Sequence, residues 1–285
     1  MKKLLATIVL LPAVLLLFAG CGSKKDESST SASASAANCK KGQLPTHSKG
    51  TLTVATDEPA YPPYFEEEDP TNGEGFESAV AYAIGKHLGY PPAKVKWTVE
   101  PFNSSYAPGP KNFDFDVNQI SITPARAKQV DFSAPYYTAN QAIVALKGSE
   151  AAGAKTIAEL KDTKIGVQIG TTSLQAVEEV IDPSQEPQVF NSSNDVVTAL
   201  KNGQIDAVVV DLPTALYLTA VQVTDGTLVG QFSAPGGDEW GALLAKGSAL
   251  TACVSGAVEE MRESGELAQL NKRWMSQAAG APELH

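Results

Sequence analysis

The chain has 285 residues, a formal charge of −10, 43% hydrophobic residues and 7% aromatic ones. That length suits two domains or one large one, and the composition excludes a disordered, collagen-like or disulfide-dense protein. The excess of Asp and Glu (32) over Lys and Arg (22) argues against nucleic-acid binding and against docking on anionic lipid through basic patches.

Met1, Lys2 and Lys3 give a positive start, residues 4–18 are an almost unbroken apolar run, and Ala19, Gly20 and Cys21 are small. This is secretory-signal architecture, too short for a membrane-spanning helix. It resembles a bacterial lipoprotein signal, cleaved before Cys21 and lipidated there, although Phe18 stands where that pattern prefers Leu. The alternative is ordinary secretion with Cys21 as an incidental thiol. Residues 22–37 carry no large apolar side chain, so they cannot offset the entropy of ordering. The expectation is a signal over 1–20 and a lipidated, flexible Ser/Ala tether over 21–50.

Residues 51–55 read as a strand. Residues 75–89 read as a helix, with Phe76, Val80, Ala83, Ile84 and Leu88 on one face and Gly89 ending it. Strands follow at 95–99 and 113–120, and Thr123 with Pro124 opens a short helix. Thr156 with Glu159, and Thr172 with Gln175, have capping-box spacing around a strand at 164–169. A helix spans 194–202, and 207–210 is an apolar strand of the kind buried on both faces of a parallel sheet. Asp211 caps a further helix. Leu250, Cys253, Val254, Ala257, Val258 and Met261 form a helical stripe, which Gly265 separates from a last helix carrying Leu267, Leu270 and Trp274. Strands alternating with helices indicate an α/β fold.

No Walker loop, His-Glu-x-x-His or Gly-x-Ser-x-Gly occurs, and His47, His87 and His285 are scattered. No enzyme, metal or cofactor chemistry is therefore expected. Three places suit a small zwitterion. Ser121 and Arg126 put a hydroxyl at a strand end and a guanidinium on a helical turn, fit for a carboxylate; the alternative is a surface Arg126 paired with Asp131. Gly170, Thr171 and Thr172 lie between a strand and a helix start, where N–H groups attract an anion; the alternative is a plain cap. Asp211 ends a strand, where a carboxylate can hold an ammonium group or simply cap its helix.

These segments occur in a telling order: Gly73 to Glu77, Ser121 to Arg126, Ala127 to Ser133, Gly170 to Thr172, Ile205 to Asp211, and Glu263 to Leu267 before Trp274. Together they resemble the extracellular solute-binding proteins of ABC transporters, family 3, polar amino-acid branch, over about residues 50–277. The resemblance implies a two-lobed periplasmic-binding-protein-like fold (type II), with two hinge strands and a ligand cleft between lobes. The lobes would comprise 51–141 with 231–280, and an inserted 142–230. Crossings are expected near 137–142 and 229–233.

The resemblance also implies roles. Arg126 would hold the ligand α-carboxylate with Ser121 and the Thr172 backbone, beside Thr171. Asp211 would hold the α-ammonium with Ser121. Asp57 would lie at the side-chain end of the pocket, and Tyr61 and Phe102 would be the aromatic walls that sandwich the ligand. Asn118 and Gln119 replace small residues such as Ser-Gly, and could narrow the pocket or bond a polar side chain. The implied function is capture of a free amino acid by a monomeric, lipid-anchored protein outside the cell membrane, for delivery to an ABC permease. The alternatives are a periplasmic dehydratase-like enzyme using Asp57 or Glu58, or a surface sensor or adhesin module. With Cys21 assigned to lipid, Cys39 and Cys253 remain as a pair, expected to form a disulfide in an oxidising compartment; two unpaired thiols are the alternative.

Overall fold

The computed structural model describes residues 39–276 and 280–285. The expected signal, Cys21 and the tether up to residue 38 lie outside the described residues. Residues 39–50 are not tether. Leu44 is buried, Gly42 N–H donates to the Leu88 carbonyl at 2.8 Å, and His47 N–H donates to Asp114 at 2.6 Å. Leu44 supplies the apolar anchor that residues 22–37 lack.

The first sheet begins with β1 (Leu52–Thr56), buried throughout and paired in parallel with β2 (Val95–Val99) and β3 (Phe115–Asp116). Between β1 and β2 lies α1 (Phe76–His87), whose Phe76, Val80, Ala83 and Ile84 enter the core. Gly75 precedes α1 at φ 94°, where a Cβ would stand 2.4 Å from the Tyr64 carbonyl oxygen, so only glycine fits. β3 is much shorter than the expected strand over 113–120. The chain turns out of the sheet at Gln119, which has φ 50°, and buried Glu77 accepts the Gln119 N–H at 2.8 Å. After the two short helices α2 (Phe102–Ser105) and α3 (Pro124–Ala127) comes β4 (Val130–Thr138).

The chain crosses at 139–140 into a second sheet. It holds β5 (Gln141–Leu146), β6 (Ile165–Gln168), β7 (Gln188–Phe190), β8 (Ala207–Asp211) and β9 (Gly226–Phe232), in the order β7-β6-β8-β5-β9. β6 is parallel to β7 and β8, and β5 is antiparallel to β8 and β9. The helices here are α4 (Thr172–Ala176), α5 (Ser193–Lys201) and α6 (Leu212–Tyr217). Two caps differ from expectation. The Thr156 hydroxyl makes no cap bond, and Glu159 accepts the Lys155 N–H rather than that of Thr156. Thr171, not Thr172, caps α4 through Leu174 N–H at 3.1 Å.

β9 runs on to Phe232, so the return crossing falls at 233–238, beyond the expected 229–233 and past the expected lobe boundary. β10 (Glu239–Ala245) then joins the first sheet antiparallel to β3 and β4, completing the order β2-β1-β3-β10-β4. α7 (Thr251–Glu263) packs on β4 and α1, and α8 (Glu266–Trp274) on α1 and α7. A disulfide joins Cys39 to Cys253. His87 at the end of α1 bonds Glu260 at 2.9 Å and Glu266 at 2.7 Å, tying the three helices together. A third passage was not foreseen. Residues 280–285 lie along β9 in the second sheet: Gln231 N–H donates to the Pro282 carbonyl, Leu284 N–H donates to the Gln231 carbonyl, and the Leu284 side chain is buried.

Candidate functional site

The carboxyl ends of β1, β3, β6 and β8 converge where the two sheets face each other, the usual place for a ligand in α/β sheets. A cavity of about 160 Å³ lies there. Asp57, Tyr61, Phe102, Gln119, Ser121, Thr171, Thr172 and Asp211 line it, eight of the nine residues named from sequence. Arg126, the ninth, stands behind Ser121 and lines an adjoining opening that shares Thr171 and Thr172 with the cavity.

Thr123 caps α3 through the Arg126 N–H at 3.2 Å, which fixes where the arginine leaves the backbone. The Arg126 guanidinium is buried and donates to the Ser121 carbonyl at 2.8 Å and the Gly170 carbonyl at 2.9 Å. It lies over Phe102 and Tyr106, 5.4 and 4.8 Å from their centroids. Asp131, its alternative partner, instead pairs with Lys246 at 3.1 Å. Among the described residues no carboxylate lies within 4 Å of Arg126. Burial lowers its pKa, while Tyr106, Asp238 and Asp211 oppose the change. Gly170 has φ 75°, and a Cβ there would meet the Tyr106 hydroxyl at 2.3 Å, so this turn also requires glycine.

With Thr171 acting as the cap, the Thr172 hydroxyl is free to bond Asp238 at 3.1 Å and Ser121 at 3.2 Å. Asp211 stands at the N-cap position of α6 but makes no cap bond, contrary to the expected cap. Its Oδ1 accepts from Gln141 Nε2 at 2.7 Å, and the same amide donates to Asp238 at 2.6 Å. Burial, then the Asp238 charge, hold the Asp211 carboxyl well above the usual carboxylate range, against Gln141 and Arg126. This acidic group therefore seeks a cation or a proton.

Asp57 organises the rim: Oδ1 accepts Glu58 N–H at 2.7 Å and Oδ2 accepts Phe102 N–H at 3.2 Å. Tyr61 donates to Asn194 Oδ1 at 2.7 Å and stacks against Tyr217 at 5.7 Å, so this wall reaches the second sheet's helices. The Gln119 amide is turned onto Glu77. Glu77 also accepts from Tyr136, and burial raises its pKa to about 7.

Sequence reasoning missed Gln168, Ser193, Asn194 and Thr214 as cavity residues, and Gln141 and Asp238 behind them, while Glu58, named there only as a candidate acid, also lines the cavity. Gln141 and Asp238 sit at the crossings, which no local pattern marks. Ser192, which bonds Asp195 N–H at 3.2 Å, was the readable N-cap signal that could have placed Ser193 and Asn194 at a helix start.

In chemical terms, a buried guanidinium and a half-buried carboxylate flank hydroxyls from both sheets, an arrangement complementary to a zwitterion. Comparison with known proteins agrees in kind. The chain is 32% identical to the L-cystine-binding protein TcyJ of Escherichia coli K12, over 79% of this chain and 83% of that protein. It is 29% identical to the glutamine-binding protein GlnH of Bacillus subtilis 168, over 97% and 98%. An ancestral arginine-binding protein bound to glutamine superposes with a TM-score of 0.66 at 34% identity, covering 80% of this chain and 99% of that one. The fold is thus the type II periplasmic-binding-protein fold. Residues 52–277 match the bacterial extracellular solute-binding proteins, family 3, and the chain belongs to that family.

Proposed function

We propose that the protein captures a free polar amino acid by closing its two lobes on it, and hands it to an ABC permease. One observation carries this reading: among the described residues buried Arg126 has no carboxylate within 4 Å, while half-buried Asp211 lines the same cavity as Ser121 and Thr172. The α-carboxylate would meet Arg126, and the α-ammonium would meet Asp211, supported by Asp238. The lobes would be 39–139 with 239–275, and 141–232 with the tail at 280–285, moving about the crossings at 139–140 and 233–238. Lipid on Cys21 would hold the monomeric protein at the outer membrane face. Catalysis has less support, because the Asp57 oxygens are committed to backbone N–H groups.

A thermal-shift screen of the purified body against the twenty amino acids tests the reading. A ligand at 100 times its dissociation constant adds about 2.7 kcal/mol of stability. No shift with any amino acid refutes it.

A further inference from the structure

Asn118 lines the main cavity and also a second chamber of about 90 Å³ behind it. The two spaces meet at Asn118, Gln119, Asp57 and Tyr61. Asn118 is only 6% exposed, and its Nδ2 is buried without a hydrogen-bond partner. Nearby polar groups do not satisfy it, since the Gln119 amide is bound to Glu77 and the Asn194 Oδ1 to Tyr61. A buried amide left this way is costly, so its partner is to be sought in the ligand.

Resting on the amino-acid reading above, we infer that Asn118 selects the ligand side chain, and that this side chain ends in a carboxamide, as in glutamine. A carboxamide carries one acceptor and two donors and so pairs reciprocally with the Asn118 amide, whichever way that amide is turned. A guanidinium or ammonium meets only the oxygen of Asn118, and a carboxylate meets only its nitrogen. Asp57, the one charged residue shared by both spaces, has each oxygen already accepting a backbone N–H, at 2.7 and 3.2 Å. It keeps one lone pair free on each oxygen, enough for an amide N–H, and with both oxygens already accepting it is a weaker partner for a guanidinium fork than a free carboxylate. The inner walls, with Phe65, Val197, Val208 and Leu218, are apolar. A neutral polar end is desolvated there at lower cost than a charged one.

Isothermal titration calorimetry of the full body with glutamine, arginine and glutamate tests this, for wild type, Asn118→Asp and Asn118→Leu. Wild type should bind glutamine at least about 30-fold more tightly than either charged amino acid. Asn118→Leu should lower glutamine affinity by about 10-fold or more, and the isosteric Asn118→Asp should shift the arginine-to-glutamine ratio toward arginine by at least about 10-fold. Far-UV circular dichroism and melting curves confirm folding of each variant. Tighter binding of arginine or glutamate by wild type overturns the inference, and so does a ratio unchanged in both variants. Either result leaves amino-acid binding standing. Failure of wild type to bind any amino acid overturns both readings.

Discussion

Glu77→Gln should flatten the pH dependence of stability between about pH 4.5 and 7. Glu77 is fully buried on the first turn of α1, and burial raises its pKa from 4.5 to about 7, against hydrogen bonds from Tyr136 and Gln119. An acid whose folded pKa is raised binds its proton more tightly when folded. Its contribution is therefore fully present below the unfolded pKa and is lost as pH rises through 7. The interval is about two and a half pH units, and each unit corresponds to about 1.4 kcal/mol, so the wild type loses roughly 3 kcal/mol across that window from this group. The glutamine variant does not titrate. It should cost about 1 kcal/mol at low pH, where the carboxylic acid bonds well, and should overtake the wild type above neutrality. Asp116 and Asp211 are also raised by burial, and the Glu77 charge raises both further, so the difference between the two curves reads Glu77 together with its repulsion of these two carboxylates. Urea unfolding from pH 4 to 8.5 reads it directly. Parallel curves would show that Glu77 titrates as an ordinary carboxylate and would refute the argument from burial.

Arg126→Ala should weaken amino-acid binding by roughly 2–5 kcal/mol, a factor of about 30 to 5,000 by calorimetry, with an unchanged circular dichroism spectrum; near wild-type affinity contradicts its role. Reducing the Cys39–Cys253 bond, whose partners are 214 residues apart, should cost at most about 5 kcal/mol by the loop-entropy relation and visibly lower the melting temperature; two reactive thiols in the denatured, unreduced body would show the bond to be absent. For His87, burial lowers the pKa, but Glu266 and Glu260 together raise it above its ordinary value. Its contribution is present below about pH 6.5 and fades as pH climbs through the raised pKa, and since the ring is half-buried but its partners Glu260 and Glu266 are 56% and 31% exposed, solvent screening should keep the effect to about 1 kcal/mol; an equal pH slope in His87→Ala argues against it. Cys21→Ala should abolish metabolic labelling with an alkynyl fatty acid, and retained label would place the lipid elsewhere.

Where local pattern decides structure, the chain was readable. The stripe Phe76, Val80, Ala83 and Ile84 is the buried face of α1, and Val254, Ala257, Val258 and Met261 are that of α7. Where one side chain has two partners to choose from, it was not. Thr171 and Thr172 are equivalent caps on paper; the strand end decides, because Thr171 also donates to the Gln168 carbonyl at 2.8 Å, which leaves Thr172 facing Asp238. Asp211 had a cap role and a ligand role that looked compatible, yet Gln141, seventy positions away in sequence, takes its oxygen. The strand over 113–120 failed for a similar reason. It reads as a strand, but Gln119 leaves the strand in a left-handed turn held by its N–H on Glu77, and Asn118 just before that turn lines the cavity. The tail over 280–285 is held mostly through main-chain groups of β9, which leave no mark on side-chain pattern.

The hinge and the ligand anchors are physically connected. Gln141 opens β5 just after the first crossing, and Asp238 ends the second, so their 2.6 Å bond spans the two crossings themselves. Rotation about the crossings barely lengthens a contact on the axis, so this pair can persist in open and closed arrangements alike. The bonds Ser121–Thr172 (3.2 Å), Arg126–Gly170 (2.9 Å), Tyr61–Asn194 (2.7 Å) and Tyr64–Thr214 (2.8 Å) instead join one sheet's elements to the other's away from that axis. In the proposed opening those bonds would break, and each contributes only about 1 kcal/mol net because water would replace it. Four such terms, set against the freedom regained on opening, leave a balance that a small ligand can tip. On the proposed reading, a zwitterion gripped by Arg126 from one lobe and Asp211 from the other would add charge-assisted bonds to the closed state alone, and differential affinity of that kind is what shifts such an equilibrium.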